Sequence, residues 1–303
     1  MLDFYMLGTS GTYPLINRAL SSCVVKMCGK TFLFDCGEGT QTQFQKHPVT
    51  AHDIDYIFIS HMHADHLSGL YGLLISMKEA QRTSPLAIVG PKRIKEFVQG
   101  MFSAANVKCV PVNFIEIEPG SELCMLDGPI KIDSCVADHN MLCYAYSIEA
   151  QRLPEFLHGK AQKECIPVKF WSLLAKGHDI EYNGKIYRHQ DFWGPKRKGM
   201  KFCYITDTRP TEKLRDFVKD SNLAVIEGMY KDDSKIVDAM EKKHMLWNEA
   251  ASLISGNNVS KAILTHYSPS MRINREEDQK LASSMSPNLI VGYDGLEMIV
   301  NYN

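Results

Sequence analysis

The segment from His61 to His66 reads His-Met-His-Ala-Asp-His and holds four potential metal ligands within six residues. It follows the apolar run Ile57–Ile59 and precedes Leu67–Met77, which has a helical pattern, so we expect a loop between a strand and a helix. Imidazole and carboxylate are ligand types that zinc accepts, and this order of residues suits two adjacent metal ions. The alternative is a polar surface loop, but so many potential ligands are improbable in a loop of ordinary composition.

Two metal ions need more ligands than one loop supplies. His139, Asp207 and His266 each follow a later apolar run that predicts a strand. The carboxyl ends of strands are where α/β sheets collect functional side chains. The sequence therefore predicts two zinc ions per subunit, with Mn²⁺ or another divalent metal as the alternative. One ion is assigned to His61, His63 and His139, the second to Asp65, His66 and His266, and Asp207 is assigned as the bridge.

Such a pair of ions would activate a shared water and stabilise the charge that develops on a phosphoryl oxygen. The predicted chemistry is therefore hydrolysis, and phosphodiester hydrolysis in particular.

These residues require a scaffold of strands that end at one edge. Patterns of apolar and turn residues predict strands at Leu2–Leu7, Ser22–Met27, Thr31–Asp35, Ile54–Ser60, Ala87–Val89, Pro129–Ala137, Leu142–Glu149, Phe202–Thr206, Leu223–Glu227, Lys261–Thr265, Asn288–Val291 and Glu297–Asn301. Helices are predicted at Gly39–Lys46, Leu67–Met77, Pro91–Ser103, Glu212–Val218 and Trp247–Ser255. Strands mixed with helices in both halves of the chain indicate a layered α/β architecture.

The segment 152–201 differs from the rest of the chain. It carries 11 Lys and Arg against 5 Asp and Glu, a net charge of +6, which leaves −7 for the remainder of a chain with net charge −1. Two of the three tryptophans and several other aromatic residues lie in it. Basic residues interleaved with aromatic residues suit an RNA backbone and stacked bases. We expect an inserted arm, and a solvated subdomain or a dimer contact is the open alternative.

Composition sets broader limits. With 303 residues and 45% hydrophobic content, the chain can bury a sizeable core, and its near-zero net charge means that a nucleic-acid partner needs a local basic surface. Nine scattered cysteines without a CxxC pair, and no apparent leader, favour reduced thiols in a cytoplasmic protein. No apolar run reaches the ~20 residues that a membrane span needs.

With these motifs the sequence resembles the metallo-β-lactamase superfamily and, within it, the ribonuclease Z family of tRNA 3′-processing endonucleases. The superfamily resemblance is carried by His61–His66 with the later ligands. The narrower resemblance is carried by Leu7–Gly11, by Phe34–Gln41 (Phe-Asp-Cys-Gly-Glu-Gly-Thr-Gln), by Asp207–Pro210 and by Leu264–Pro269. The resemblance implies a four-layer αβ/βα sandwich. It also implies that residues 1–303 form a single domain, with the inserted arm at 152–201.

The resemblance also implies roles for further residues. His244 would be the general acid that protonates the leaving 3′-oxygen, and Glu227 would orient the His244 ring. The alternative for Glu227 is a carboxylate that forms a salt bridge or caps a helix. Asp65 would double as a proton acceptor for the attacking water, and Asp35 would accept a hydrogen bond from a ligand histidine. The candidate substrate-binding residues are Arg18, Ser268, Arg272, Lys169, Trp171, Lys196, Arg197 and Lys198.

The sequence departs from the family pattern around the substrate. The family continues its last ligand motif with an Arg-Tyr pair, whereas this chain has Ser270-Met271 and places Arg272 one position later. The pair Leu15-Ile16 stands where a threonine and a basic residue are common. The metal ligands are complete, so the chemistry is better supported than the substrate.

The leading hypothesis is a zinc-dependent endoribonuclease that removes 3′ trailers from precursor tRNA and leaves a 3′-hydroxyl. The arm would grip the tRNA body, with the chain acting as a homodimer. One alternative is a di-metal hydrolase of a small phosphodiester or ester. The other is a non-catalytic RNA-binding subunit, which the complete ligand set argues against.

Overall fold

The computed structural model describes residues 1–302 and divides the chain into two compact units. The larger unit comprises Met1–Glu149 and the chain from Lys201 onward, and the smaller comprises Ala150–Met200. We call the smaller unit the arm.

The first sheet of the larger unit has seven strands in the order β16-β1-β2-β3-β4-β5-β6. Its strands are β1 (Leu2–Gly8), β2 (Ser22–Met27), β3 (Lys30–Phe34), β4 (Tyr56–Phe58), β5 (Leu86–Pro91), β6 (Val112–Ile117) and β16 (Glu297–Val300). Strands β3 to β6 are parallel and β16, β1, β2 and β3 are antiparallel. The parallel half delivers the His61–His66 loop directly after β4.

The second sheet also has seven strands, in the order β15-β14-β13-β12-β9-β8-β7. They are β7 (Cys124–Asp127), β8 (Ile130–Ala137), β9 (Cys143–Ala150), β12 (Met200–Ile205), β13 (Leu223–Glu227), β14 (Ala262–Thr265) and β15 (Leu289–Val291). Strands β12 to β15 are parallel, so their carboxyl ends meet at one edge. Asp207, Glu227 and His266 stand at or just beyond these ends.

Helices cover the outer face of each sheet. They are α1 (Thr40–Gln43), α2 (Ala64–Leu67), α3 (Leu70–Glu79) and α4 (Ile94–Ala104) in the first half, and α7 (Glu212–Val218), α8 (Ile236–Lys242), α9 (Trp247–Ile254) and α10 (Arg275–Met285) in the second. One apolar cluster joins α3 and α4 to the first sheet, and another joins α7 and α9 to the second. The result is helix, sheet, sheet and helix in four layers, which confirms the predicted layered α/β architecture.

Buried aromatic rings fill the space between the two sheets. Phe34 contacts Phe202 and Tyr204 across the layers, with ring centroids 5.0 and 5.4 Å apart, and Phe58 contacts Tyr146 at 5.0 Å. All five rings are almost fully buried. Rings of this size dominate the burial of apolar surface, so this layer fixes the edge at which the two sets of strand ends face each other.

The predicted helix Leu67–Met77 is present as α3 (Leu70–Glu79), whereas Leu67 is the last residue of α2 and is separated from α3 by Ser68 and Gly69. The Gly69 N–H donates to the Cys36 carbonyl at 2.9 Å, and a Cβ at this position would lie 2.2 Å from the Gly37 carbonyl oxygen. Only glycine permits this close approach of two backbones. The break follows from a long-range contact, which helical periodicity does not reveal.

The arm has its own small core. It contains α5 (His158–Lys163), α6 (Val168–Ala175), the hairpin of β10 (Ile180–Tyr182) and β11 (Lys185–Tyr187), and a 3₁₀ turn at His189–Phe192. Its buried cluster includes Phe156, Ile166, Leu174, Ile180 and Phe192, with Trp171 packed against it. Many of the aromatic residues that suggested base stacking therefore stabilise the arm itself.

No helix within residues 1–302 combines the length and the apolar character that crossing a bilayer requires.

Candidate metal centre

Three of the site residues leave their strands through left-handed backbone turns. Asp35, Asp207 and His266 follow β3, β12 and β14 and have φ values of 52°, 43° and 59°. Asp and His are among the few non-glycine residue types enriched in this region of backbone conformation. Strained backbone of this kind clusters at functional sites, where the surrounding structure holds it in place.

The structure brings the side chains of the first predicted ligand group together. The Nε2 atom of His61 lies 2.8 Å from His63 Nδ1, and His139 Nε2 lies 3.3 Å from the same atom. Asp207 Oδ2 lies 3.4 Å from His61 Nε2 and 3.8 Å from His139 Nε2. One carboxylate oxygen thus joins three imidazole nitrogens around a common point.

The second group lies on the other side of Asp207. His66 Nε2 lies 3.1 Å from His266 Nε2, and Asp65 Oδ2 lies 3.5 and 3.3 Å from these two atoms. Asp207 Oδ1 lies 3.4 Å from His66 Nε2 and 3.1 Å from His266 Nε2. Each oxygen of Asp207 therefore faces a different group of predicted ligands, as a carboxylate that bridged two ions would.

These separations fit zinc-like ions. Ligand atoms around a tetrahedral zinc ion lie roughly 3.3 Å apart when each is about 2.0–2.1 Å from the metal. The measured distances within the two groups scatter around this value. Lone pairs on neighbouring nitrogens and oxygens would otherwise repel one another in a buried site, so the donor set is chemically suited to a divalent cation.

A buried carboxylate fixes the tautomers of two ligand histidines. Asp35 accepts hydrogen bonds from His66 Nδ1 at 2.6 Å, from the Ser60 hydroxyl at 2.8 Å and from the Tyr204 hydroxyl at 2.9 Å. The Ser60 oxygen in turn lies 3.0 Å from His61 Nδ1 and can accept its proton. In their neutral forms both rings then present an unprotonated Nε2 to the site, as metal-ligating histidines do. The predicted hydrogen bond from a ligand histidine to Asp35 is present.

The other ligands are oriented differently. His139 Nδ1 donates to the Lys243 carbonyl at 3.3 Å. His266 Nδ1 is buried without a hydrogen-bond partner in the described part of the chain, and its ring packs on Gly11, where a Cβ would lie 2.7 Å away. Asp65 Oδ2 accepts from the Thr12 backbone N–H at 2.7 Å. The loop before β2 thus closes over the second ligand group.

Burial sets the charge state of the first ligand group. It lowers the pKa of His61, His63 and His139, because desolvation disfavours the imidazolium form. Burial raises the pKa of Asp207, but the neighbouring imidazoles outweigh it and hold that pKa well below its usual range. Neutral histidines around an ionised carboxylate are the protonation states that a metal ion requires.

His244 and Glu227 form a pair beside the ligands. The Nδ1 atom of His244 lies 3.2 Å from Glu227 Oε2, and the carboxylate also accepts from the backbone N–H groups of Thr208 and Met245. Burial lowers the pKa of His244, but the Glu227 carboxylate outweighs it and raises the value to about 9. The His244 ring lies beside His266, with centroids 5.4 Å apart, and close enough to Asp207 to share a ligand cluster with it.

The ligands open into a cavity of about 340 Å³. Its lining includes Lys242, the one Lys or Arg among the described residues that border it, together with Thr12 and Asn140. These three residues were not among the predicted site residues. Lys242 stands two positions before His244, and this proximity was the available signal.

The predicted substrate-binding residues lie in several environments. Arg18 donates to the carbonyls of Ser268 and Met271 at 2.9 and 3.3 Å, so its guanidinium braces the loop after His266. Ser268 and Arg272 line a neighbouring cavity of about 360 Å³. The Trp171 indole N–H donates to the Ile166 carbonyl at 2.8 Å, and Arg197 Nε donates to the Leu153 carbonyl at 2.6 Å. The remaining arm candidates, Lys169, Lys196 and Lys198, are exposed.

Comparison with known families gives two partial matches. Residues 2–103 match the family described as "Anti-Pycsar protein Apyc1", and residues 193–267 match the "Beta-lactamase superfamily domain".

Comparison with individual proteins covers the whole chain. A ribonuclease Z of Lachnoclostridium phytofermentans is 38% identical over 304 residues, which span 100% of this chain and 99% of the relative. A ribonuclease Z of Agathobacter rectalis is 40% identical over 271 residues, 89% of each chain. The crystal structure of human tRNase Z, short form, superposes with a TM-score of 0.72 at 20% identity and covers 99% of this chain and 100% of that one.

Proposed function

The chain belongs to the ribonuclease Z family, and we propose how the residues of its metal centre carry out that family's reaction. It is a metal-dependent endoribonuclease that removes 3′ trailers from precursor tRNA and leaves a 3′-hydroxyl. The predicted metallo-β-lactamase fold is confirmed by its solved structural neighbours. The observation that carries the function is the 38% identity over the full length, together with the convergence of all seven predicted ligands.

We propose that the divalent metal site holds two zinc ions per subunit, with Mn²⁺ as a possible substitute. His61, His63 and His139 would hold one ion, Asp65, His66 and His266 the other, and Asp207 would bridge them. Nitrogen-rich ligands at these separations support zinc. When bound, such a pair lowers the pKa of a shared water and stabilises charge on a phosphoryl oxygen.

The reaction needs one proton to leave the attacking water and one to reach the departing oxygen. We assign Asp65 as the acceptor of the first proton. As the P–O3′ bond breaks, His244 donates a proton to the 3′-oxygen, while Glu227 holds its ring through Nδ1. Lys242 replaces Arg272 as our candidate for contact with the scissile phosphate, because Arg272 lines the neighbouring cavity and Lys242 lines that of the ligands.

We propose that the arm binds the body of the tRNA. Its net charge of +6 over residues 152–201 supports contact with several phosphates, and binding should weaken as salt rises. Lys169, Lys196, Arg197 and Lys198 are the candidate contacts. We assign Trp171 a role in the core of the arm, because its indole N–H and ring are both used there.

We also propose that the chain forms a homodimer in the cytoplasm. All nine cysteines are free thiols, which supports a reducing compartment. Light scattering of the purified protein would measure the oligomeric state.

The direct test is cleavage of a tRNA transcript that carries a 3′ extension. We expect one cut that releases the trailer and leaves a tRNA with a 3′-hydroxyl, loss of the cut in chelator, and recovery when Zn²⁺ or Mn²⁺ is added back. End mapping of both products identifies the bond that is broken. A product that ends in a 3′-phosphate would contradict the assignment.

Asp35→Asn is expected to weaken metal binding about 10- to 100-fold, the usual cost of removing a partner of a ligand histidine. Asparagine lacks the negative charge that holds the hydrogen bonds from His66 and Ser60. The imidazole rings of His66 and His61 are then no longer fixed in the tautomer that leaves Nε2 unprotonated. Metal affinity is measured by competition with a chromogenic chelator. Tyr204→Phe is the matched control, because it removes one hydrogen bond to the same carboxylate and leaves the charge. Equal affinities in both variants would contradict the role of Asp35.

Deletion of Phe156–Trp193 is expected to lower kcat/KM for precursor tRNA about 10- to 100-fold and to spare a small chromogenic phosphodiester. The deleted segment carries six of the eleven Lys and Arg residues of 152–201, Lys169 among them, so part of the phosphate contact is lost, while Lys196, Arg197 and Lys198 remain. The chain can be rejoined there because the Gly194 N–H donates to the Glu155 carbonyl at 2.8 Å. Steady-state kinetics on both substrates measure the effect. Equal losses would show that the arm is needed for the fold of the metal centre and not for binding RNA.

A further inference from the structure

The residue that we assign as general acid stands in a short connection between two helices. His244 lies among the four residues that link α8 to α9, and Lys243 before it has a left-handed backbone with φ 60°. Backbone hydrogen bonds hold part of this connection, since the His244 N–H donates to the Ala239 carbonyl at 2.9 Å and the Trp247 N–H donates to the Tyr230 carbonyl at 3.0 Å. The His244 carbonyl and the N–H groups of Met245 and Leu246 are held instead by side chains.

Arg209 supplies such a contact. Its Nη1 atom donates to the His244 carbonyl at 2.5 Å and lies 2.8 Å from Glu249 Oε2, while Nη2 contacts Glu249 Oε1. The two side chains are only 15% and 19% exposed. A planar guanidinium can hold a carboxylate with two donors and still reach a carbonyl, which an ammonium group cannot do.

Glu249 contacts the backbone of the same connection. It stands in the first turn of α9, and its Oε2 accepts from the Leu246 N–H at 2.9 Å. The pair thus holds the carbonyl of His244 and the amide two residues later. Glu227 holds the Met245 amide between them at 3.2 Å.

Arg209 is also tied to the metal ligands. It follows Asp207 by two residues, and its backbone N–H donates to the Asp138 carbonyl at 3.0 Å, next to His139. The backbone of two predicted ligands is therefore connected to the backbone of His244 through one side chain. This fixes the distance between the proton donor and the bridging carboxylate.

We propose that Arg209, paired with Glu249, is a positioning residue that holds His244 at the distance needed to protonate the leaving oxygen. This inference rests on the proposed general-acid role of His244. Arg209 itself does not contact the reacting atoms, because its donors are occupied by the His244 carbonyl and by Glu249.

The test compares Arg209→Lys, which keeps the charge, with the control Arg215→Lys, which changes a half-buried arginine on α7. With 3′-extended tRNA as substrate, we expect Arg209→Lys to lower kcat about 10-fold with little change in KM. With bis(p-nitrophenyl) phosphate, whose leaving group needs no proton, we expect less than a 2-fold change. Metal content should match the parent protein.

The double variant Arg209→Lys/His244→Ala should be no slower than His244→Ala alone, because the two residues act as one unit. Glu249→Gln provides a second variant if Arg209→Lys does not fold. Equal losses on both substrates, or additive losses in the double variant, would overturn the inference. If His244→Ala itself shows no dependence on the leaving group, the general-acid role fails and the inference fails with it. If the rate loss depends on the leaving group in His244→Ala but not in Arg209→Lys, only the positioning role of Arg209 is overturned.

Discussion

Asp207→Ala is expected to empty the metal centre and to lower tRNA cleavage at least about 10³-fold. One carboxylate faces both ligand groups, with Oδ2 3.4 Å from His61 Nε2 and Oδ1 3.1 Å from His266 Nε2. Its removal would take a ligand from each of the two proposed ions and a negative charge from a buried pocket of imidazoles. Electrostatic stabilisation of the transition state and activation of the water are then lost together.

Elemental analysis after dialysis measures bound metal, and cleavage of the 3′-extended transcript measures activity. The matched control is Asp216→Ala, which replaces an exposed aspartate on α7. This control should retain both the bound metal and the activity. Asp207→Asn separates charge from shape, because asparagine also accepts a left-handed backbone and keeps one oxygen ligand. We expect intermediate metal occupancy in that variant. Full activity of Asp207→Ala would remove the bridging assignment.

His244→Ala is expected to slow tRNA cleavage about 10²- to 10⁴-fold, the usual contribution of a positioned general acid. The departing 3′-oxygen of RNA is a poor leaving group that needs a proton as the bond breaks. With bis(p-nitrophenyl) phosphate the departing phenolate is stable without one, so the loss should be no more than a few-fold. Rate constants measured at saturating substrate isolate the chemical step from binding.

Glu227→Gln is the companion variant for this second prediction. It keeps the size of the side chain and can still accept from the Met245 N–H, but it removes the negative charge 3.2 Å from His244 Nδ1. We expect a smaller loss than in His244→Ala with the same dependence on the leaving group. A loss of equal size on both substrates in His244→Ala would instead indicate that the imidazole supports the metal ligands.

Residue types and their spacing were enough to predict the chemistry of the centre. The segment His61–His66 concentrates four predicted ligands in one loop, and His139, Asp207 and His266 each follow an apolar run at a strand end. Parallel pairing places Asp207 and His266 at one edge of the second sheet, as the pattern predicts. Their approach to the His61–His66 loop of the first sheet depends on how the two sheets pack. The layered α/β class follows from the same patterns.

The contacts that hold these side chains became visible only in the folded chain. Asp35 accepts hydrogen bonds from Ser60, 25 positions away in the sequence, and from Tyr204, 169 positions away. The ion pair of Arg209 with Glu249 joins residues that are 40 positions apart. The tertiary structure also placed Trp171 in the core of the arm and turned Arg18 towards the loop after His266. Residue type and spacing report what a side chain can do, whereas its partner depends on which distant segments the packed sheets bring within hydrogen-bond reach.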